Sequence, residues 1–362
     1  MSQRYEPRSV RLPGLLAEVM TGQISAPMFQ REFVWTDAQR LELLDSVWRD
    51  RPFGAIFLWD TNADYPTHKM LGPVKLLLRE QVPPFPQYLI DGLQRVTTLY
   101  AALAPGLVAE IHKNRRRYGV TVVPDRSLDL VNETAPDKRS RDEWEIFFDA
   151  SAQSDAFKLR TPRMRRSSKI PDAWVSTWEL LDGDKVRARS KTDLFAQNPD
   201  WVHRLEGCQD VFKDYFVVMI PLVTEDPADA VTAFTRINRG GTPMDETALT
   251  HARVWQLTDG KTNLLEKIQY LRDRLAPYGF DNLKDATLFN SVILTAGRPV
   301  GSLKQRDEQE VAALIADATD DLLLNSERKL TIATRFLYEK LLVCGSSMLP
   351  SHWHPTVSGS RV

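Results

Sequence analysis

The chain has 362 residues, 43% of them apolar, and a formal net charge of −1, enough material for two domains or for one large domain with an extension. No apolar run approaches the roughly 20 residues that span a bilayer, and the opening Met1-Ser2-Gln3-Arg4-Tyr5-Glu6 lacks the apolar centre of a signal peptide, which excludes a membrane span and sets cytoplasmic residence as the expectation. Cys208 and Cys344 lie far apart and form no CxxC pair, which excludes a disulfide framework and a zinc site.

Leu12, Leu15, Leu16 and Val19 recur at helical spacing, and Pro13 marks the first turn of a helix that reaches Met20. Thr21-Gly22-Gln23 ends it, and Ile24 to Pro27 reads as extended. Gln30 and Arg31 then fall on a loop, where they offer amide and guanidinium donors to an anion, although Arg31 beside Glu32 equally reads as a surface ion pair. Thr36 with Gln39 forms a capping box for a helix whose buried stripe is Leu41, Leu44, Val47 and Trp48. Phe53 to Trp59 reads as a strand buried on both faces, Thr61 to Asp64 as a turn, and Val74 to Leu78 as an edge strand. Pro83-Pro84-Phe85-Pro86 breaks structure ahead of the next strand.

That strand opens the stretch around which the chain is organised. Tyr88-Leu89-Ile90 meets Asp91-Gly92, a turn signal, and Val96, Leu99, Tyr100 and Leu103 follow at helical spacing, so strand, tight turn and helix are predicted in that order. N–H groups in a first helical turn lack helical partners and carry partial positive charge, and Arg95 adds a full cation there, a combination that attracts phosphate. A second reading stands beside it: Asp91 followed three residues on by Gln94 is a variant capping box, which needs no ligand.

After this helix, Leu107 to His112 and Tyr118 to Val123 read as two strands joined by Lys113, Arg115, Arg116 and Arg117, a hairpin with a positive tip. Trp144 to Asp149 reads as a strand. Lys158 to Lys169 reads as a loop in which Lys158, Arg160, Arg163, Arg165, Arg166 and Lys169 gather with no acid between them. Both clusters suit a phosphate backbone and suit a solvated face as well. Trp174, Trp178, Leu180 and Leu181 suggest a short buried helix, and Tyr215 to Val223 a strand with Pro221 near an edge or a strand end. Asp226-Pro227 starts a helix with Ala230, Val231, Phe234 and Ile237 on one face. Asn238-Arg239-Gly240-Gly241 stops it, where Asn and Gly fit a left-handed cap as well as a ligand-reading carboxamide. Thr242-Pro243 begins a further helix through Trp255. Helical patterns then cover Leu264 to Leu275, Ala286 to Leu294, Val311 to Leu324 and Ile332 to Val343, an acidic region suited to subunit or domain packing. His352 and His354 stand in a tail with no further ligand nearby, so no metal site is expected there.

Three ordered blocks carry a family resemblance. Ile90-Asp91-Gly92-Leu93-Gln94-Arg95-Val96-Thr97-Thr98-Leu99 resembles the (I/V)DGQQR-x-TTL signature of the N-terminal domain of GmrSD-type, modification-dependent restriction enzymes, with Leu93 in place of the first Gln. Pro27-Met28-Phe29-Gln30-Arg31-Glu32-Phe33-Val34-Trp35 resembles the family's P-x-x-QR-x-(Y/F)-x-W block, and Phe234-Thr235-Arg236-Ile237-Asn238-Arg239-Gly240-Gly241 its F-x-R-(I/V)-N-x-x-G block. The resemblance implies an α/β (α+β) fold with a ParB/sulfiredoxin-like mixed-sheet core over residues 1–255; the helical patterns beyond it give a helical region at 256–345, and a disordered tail is expected at 346–362. It implies nucleotide phosphates at the Gly-to-Arg turn: Asp91, Gln94 and Arg95 as catalytic residues, and Gln30, Arg31, Gly92, Arg95, Arg236, Asn238 and Gly241 around a nucleoside triphosphate with Mg²⁺. Arg115, Arg116, Arg117, Arg163, Arg165 and Arg166 are the expected DNA contacts. The sequence contains no P-loop, no GxSxG elbow and no HExxH, and the His-Asn-His constellation of the family's nuclease domain is missing. The expected protein is a nucleotide-binding, DNA-sensing component, able to form homo-oligomers, with cleavage supplied by a separately encoded nuclease. The other reading is a non-catalytic DNA- or protein-binding module of the same fold.

Overall fold

The computed structural model describes residues 6–27, 30, 33–62, 67–76, 87–113, 144–161, 164, 169–225, 227–238, 254–255, 257–258, 262, 264–297 and 319–349. Contacts divide the chain into two units, one of Met1–Pro27 with Glu32–Glu225 and the other of Met28–Arg31 with Asp226–Val362. Together the described residues form a mixed α/β structure of the α+β class, and none of their helices is long and apolar enough to cross a membrane.

The first unit contains, in chain order, β1 (Arg8–Arg11), α1 (Leu12–Met20), β2 (Ile24–Ser25), α2 (Asp37–Trp48), β3 (Ile56–Asp60), β4 (Met70–Leu71), β5 (Val74–Lys75), β6 (Gln87–Asp91), α3 (Leu93–Lys113), β7 (Ile146–Asp149), β8 (Phe157–Leu159), β9 (Trp174–Ser176), α4 (Thr177–Leu180), α5 (Gly183–Ser190), α6 (Asp193–Ala196), α7 (Pro199–Asp214) and β10 (Phe216–Val223). Its main sheet has the order β1-β10-β3-β6-β2. β1 runs antiparallel to β10, β10 parallel to β3, β3 antiparallel to β6, and β6 parallel to β2. Val217, Met219, Ile56, Leu58 and Leu89 face a core filled by Leu15, Leu16 and Val19 of α1 and by Val96, Leu99, Tyr100 and Leu103 of α3. A second, antiparallel sheet of order β8-β7-β9 packs Phe148 and Phe157 into the same core.

Most predicted elements recur in place. The Thr36–Gln39 capping box forms, with the Gln39 N–H donating to the Thr36 hydroxyl and the Thr36 N–H to the Gln39 side-chain oxygen Oε1. Strand β3 begins at Ile56 rather than Phe53, because Gly54 adopts φ 98° and turns the chain ahead of it. Pro221 lies inside β10, past the residues that pair with β1, so its missing N–H removes no bond to that neighbour.

Other predictions are corrected. Leu107 to His112 is helical: α3 continues through Pro105 to Lys113. Proline at that position cannot donate to the Ala101 carbonyl, and the Trp178 indole N–H donates to it instead, at 2.8 Å. Gly106 leaves the room for this contact, since a Cβ there would stand 2.6 Å from the Trp178 carbonyl oxygen. Lys158 and Leu159 belong to β8 rather than to a loop, where they pair with β7. Trp174 opens β9, and only from Thr177 does the chain turn helical. Helix α7 escaped prediction, although Pro199 at its start and Leu205, Cys208 and Phe212 on one face are legible signals. The strand expected over Tyr118 to Val123 lies outside the described residues.

The long elements described in the second unit are helices: α8 (Pro227–Asn238), α9 (Leu264–Leu275), α10 (Asp285–Thr295) and α11 (Thr319–Leu341). Leu264, Ile268, Leu271, Phe280, Phe289 and Leu330 form its core. A single helix, α11, runs through the region where two separate helical patterns were read, because Ser326, Leu330 and Thr334 keep one buried stripe across the junction. Cys208 is buried and Cys344 exposed, both as free thiols.

Candidate functional site

Strand β6 ends at Asp91, the chain turns at Gly92, and α3 begins at Leu93. Gly92 holds φ 102°, a conformation that L side chains rarely adopt, and a Cβ there would stand 2.5 Å from Ile56 Cδ1. The first helical bond runs from the Val96 N–H to the Gly92 carbonyl at 2.8 Å. The N–H groups of Leu93, Gln94 and Arg95 therefore sit in the first turn, ahead of the first helical bond.

Because the helix starts at Leu93, its N-cap is Gly92, and Asp91 with Gln94 is not the reciprocal capping pair. Asp91 instead forms an ion pair with Arg95 Nη2, one helical turn on. Arg95 Nη1 donates to the Phe53 carbonyl at 3.1 Å. The Arg95 side chain is 15% exposed and that of Asp91 29%, so most of the arginine is enclosed. Gly54 encloses it from the other side: a Cβ at that position would lie 2.6 Å from Arg95 Nη1.

Gln94 is buried. Its side-chain oxygen accepts from the N–H groups of Val34 at 2.8 Å and Trp35 at 3.3 Å. This ties the segment before α2 to the first turn of α3, and the segment is further fixed by Phe33, whose ring lies 4.7 Å from that of Trp144. Gln94→Leu should leave two N–H groups without their acceptor and destabilise the first unit by about 1–3 kcal/mol, whereas Gln94→Glu keeps an acceptor and should recover most of that loss. Urea unfolding followed by circular dichroism measures both, and equal stability of the leucine variant and the wild type would remove the tether from the account. Leu93, where the family signature has an amide, is 7% exposed and joins the apolar core.

The structure thus brings together Asp91, Gly92, Gln94 and Arg95. Gln30 is buried and belongs to the second unit, as do Arg236, exposed in the last turn of α8, and Asn238, the last residue of that helix. Arg31, Gly241, Arg115, Arg116, Arg117, Arg163, Arg165 and Arg166 lie outside the described residues. Within the second basic cluster, Arg160 is committed locally, since it pairs with Glu145 at 2.7 Å and lies 5.3 Å from the centre of the Phe147 ring. Three residues near Arg95 escaped the sequence reading: Phe53, which acts through its backbone carbonyl, Gly54, and Tyr215, which stacks on Phe53. Gly54 inside an apolar strand pattern was the available signal, for an isolated glycine there marks a close approach of backbone.

A family model described as GmrSD restriction endonuclease, N-terminal domain, matches residues 14–255, a span that takes in all three sequence blocks. No curated protein matches the chain.

Proposed function

The chain belongs to the family of GmrSD restriction endonuclease N-terminal domains, which makes it a component of a restriction or phage-defence system, and from that premise we propose that it binds and hydrolyses a nucleoside triphosphate and senses DNA. The observation that carries the reading is the β6–α3 turn, where an arginine and first-turn N–H groups share one helix end. Fixed donors and a cation beside a helix N-terminus are what phosphoryl oxygens require, both for binding and for the charge that develops during transfer. Arg95 binds phosphate and Gly92 lets the backbone approach it; Gln30, Arg31, Arg236, Asn238 and Gly241 are the nucleotide-binding positions that the family resemblance implies.

Asp91 brings one carboxylate to the turn. A Mg²⁺ that accompanies a nucleoside triphosphate would suit such a single carboxylate, and among the described residues no group of three metal-ligating side chains occurs. When bound, the ion supplies charge neutralisation, and Asp91 is the residue that would hold it. Asp91 and Gln94 are the further catalytic positions: Asp91 orients the attacking water, and Gln94, whose oxygen is directed to Val34 and Trp35, acts by fixing the first turn. Strand cleavage is assigned to a nuclease outside these residues. The test is phosphate release from each nucleoside triphosphate with Mg²⁺, with and without duplex DNA. Release that rises with DNA is expected, and none under any condition would reduce the protein to a binding module.

DNA sensing rests on the basic clusters at Arg115, Arg116 and Arg117 and at Arg163, Arg165 and Arg166. Each phosphate neutralised releases condensed counterions, so the logarithm of affinity should fall against the logarithm of salt with a slope of about −0.9 per contact. Neutralising Arg165 and Arg166 together should flatten that slope by up to roughly two units, with little dependence on sequence. Fluorescence anisotropy over a salt series reads it, and equal slopes for wild type and double variant would remove this cluster from the footprint.

A further inference from the structure

Resting on the phosphate-binding reading of Arg95, we propose that the turn at residues 51–54, clamped by Tyr215, is the positioning element that aims the Arg95 guanidinium. An ion pair to Asp91 alone anchors one end of the guanidinium and leaves its plane able to swing. The Phe53 carbonyl takes the other end, at 3.1 Å from Nη1, and two anchors on two different nitrogens fix the plane. Phe53 is itself held: its ring stacks on that of Tyr215 with 5.5 Å between centres and 12° between planes. The Tyr215 hydroxyl donates to the Arg51 carbonyl at 2.7 Å, so one side chain grips the turn at two points.

Tyr215 is a firm base for this grip, because its own N–H donates to the Val211 carbonyl and its carbonyl accepts from the Leu12 N–H, both at 2.8 Å. Burial pushes its hydroxyl above the ordinary tyrosine range. Gly54 completes the clamp: only a residue without Cβ allows the backbone to lie against Nη1, and its φ of 98° is one that L side chains rarely adopt. Donors fixed in advance bind more tightly than donors that must be ordered on binding. The 51–54 turn and Tyr215 touch no phosphate in this scheme and act through Arg95.

The test is a double-variant cycle on the full chain: wild type, Gly54→Ala, Arg95→Ala and the pair, each titrated with a nucleoside triphosphate and Mg²⁺ and each melted. Gly54→Ala is expected to weaken nucleotide binding about tenfold beside Arg95 and to have no further effect in the Arg95→Ala background. Tyr215→Phe, which keeps the stack and loses the bond to Arg51, is expected to weaken it about threefold, and stands in if Gly54→Ala does not fold. Losses of equal size in both backgrounds, or unchanged affinity in both Gly54→Ala and Tyr215→Phe, would overturn the clamp. If the wild type binds no nucleotide, the functional reading fails separately, and the melting temperatures decide the clamp: non-additive shifts for Gly54→Ala and Arg95→Ala sustain it, additive shifts overturn it.

Discussion

Arg95→Ala is expected to lower affinity for a nucleoside triphosphate roughly tenfold to a hundredfold, the loss of about 1.5–3 kcal/mol that accompanies removal of a charge-assisted hydrogen bond. The residue sits in the first turn of α3 and contributes charge rather than core volume, for the apolar face of this helix is carried by Val96, Leu99, Tyr100 and Leu103. Its removal also leaves Asp91 without its ion-pair partner. Since that carboxylate is 29% exposed, water replaces the partner and the cost to stability should stay near about 1 kcal/mol or below. Calorimetric titration beside thermal melting separates the two effects. A variant that melts far below the wild type, with unchanged affinity per folded molecule, would mean that the Asp91–Arg95–Phe53 arrangement is a structural latch and nothing more.

The largest effect on stability is expected at Trp178, which lies where α4 meets α3. Trp178→Ala should cost about 3–5 kcal/mol, the usual range for removing a buried large aromatic. Trp178→Phe is the more informative change. It keeps most of the apolar volume but deletes the indole N–H that serves the Ala101 carbonyl, and because Pro105 cannot supply a helical donor there, that carbonyl is left unsatisfied at about 1–3 kcal/mol. Urea unfolding monitored by far-ultraviolet circular dichroism reads both variants. A phenylalanine variant within about 0.5 kcal/mol of wild type would show that the carbonyl is served in another way.

The same place shows why one part of the fold was legible and another was not. Asp-Gly between an apolar run and a helical stripe fixes the β6–α3 turn locally, and the glycine that the turn demands is written in the chain at Gly92. Leu107 to His112 reads as a strand on local β-propensity, and Pro105-Gly106 ahead of it is a chemical break in a helix. What overrides the break is tertiary: an indole N–H from a residue far along the chain and a helix that approaches closely enough to need Gly106. Helix α7 was missed although its pattern is ordinary, whereas β1 is only four residues long and owes its strand to pairing with β10.

The candidate site divides in the same way. Arg95 and Asp91 stand four residues apart on either side of the Gly92 turn, so their meeting is local and within reach of a sequence reading of the strand-turn-helix pattern. The partners of Gln94 come from the backbone of Val34 and Trp35, and the second anchor of Arg95 is the backbone carbonyl of Phe53. Backbone groups leave no trace in residue identity, and a sequence motif therefore records one half of each contact. Gln94 illustrates the consequence: its place in the signature implies a catalytic residue, while its side-chain oxygen accepts from two N–H groups of the chain.

The central claim is that phosphate binds at the N-terminus of α3, and amide hydrogen exchange of the full chain with and without Mg²⁺ and a nucleoside triphosphate tests it most directly. The first helical bond of α3 is that of Val96, so phosphate oxygens that accept from the amides ahead of it should slow their exchange, and the account predicts nucleotide-dependent protection in peptides covering residues 92–96. Nucleotide binding that protects other segments and leaves these amides unchanged would contradict it.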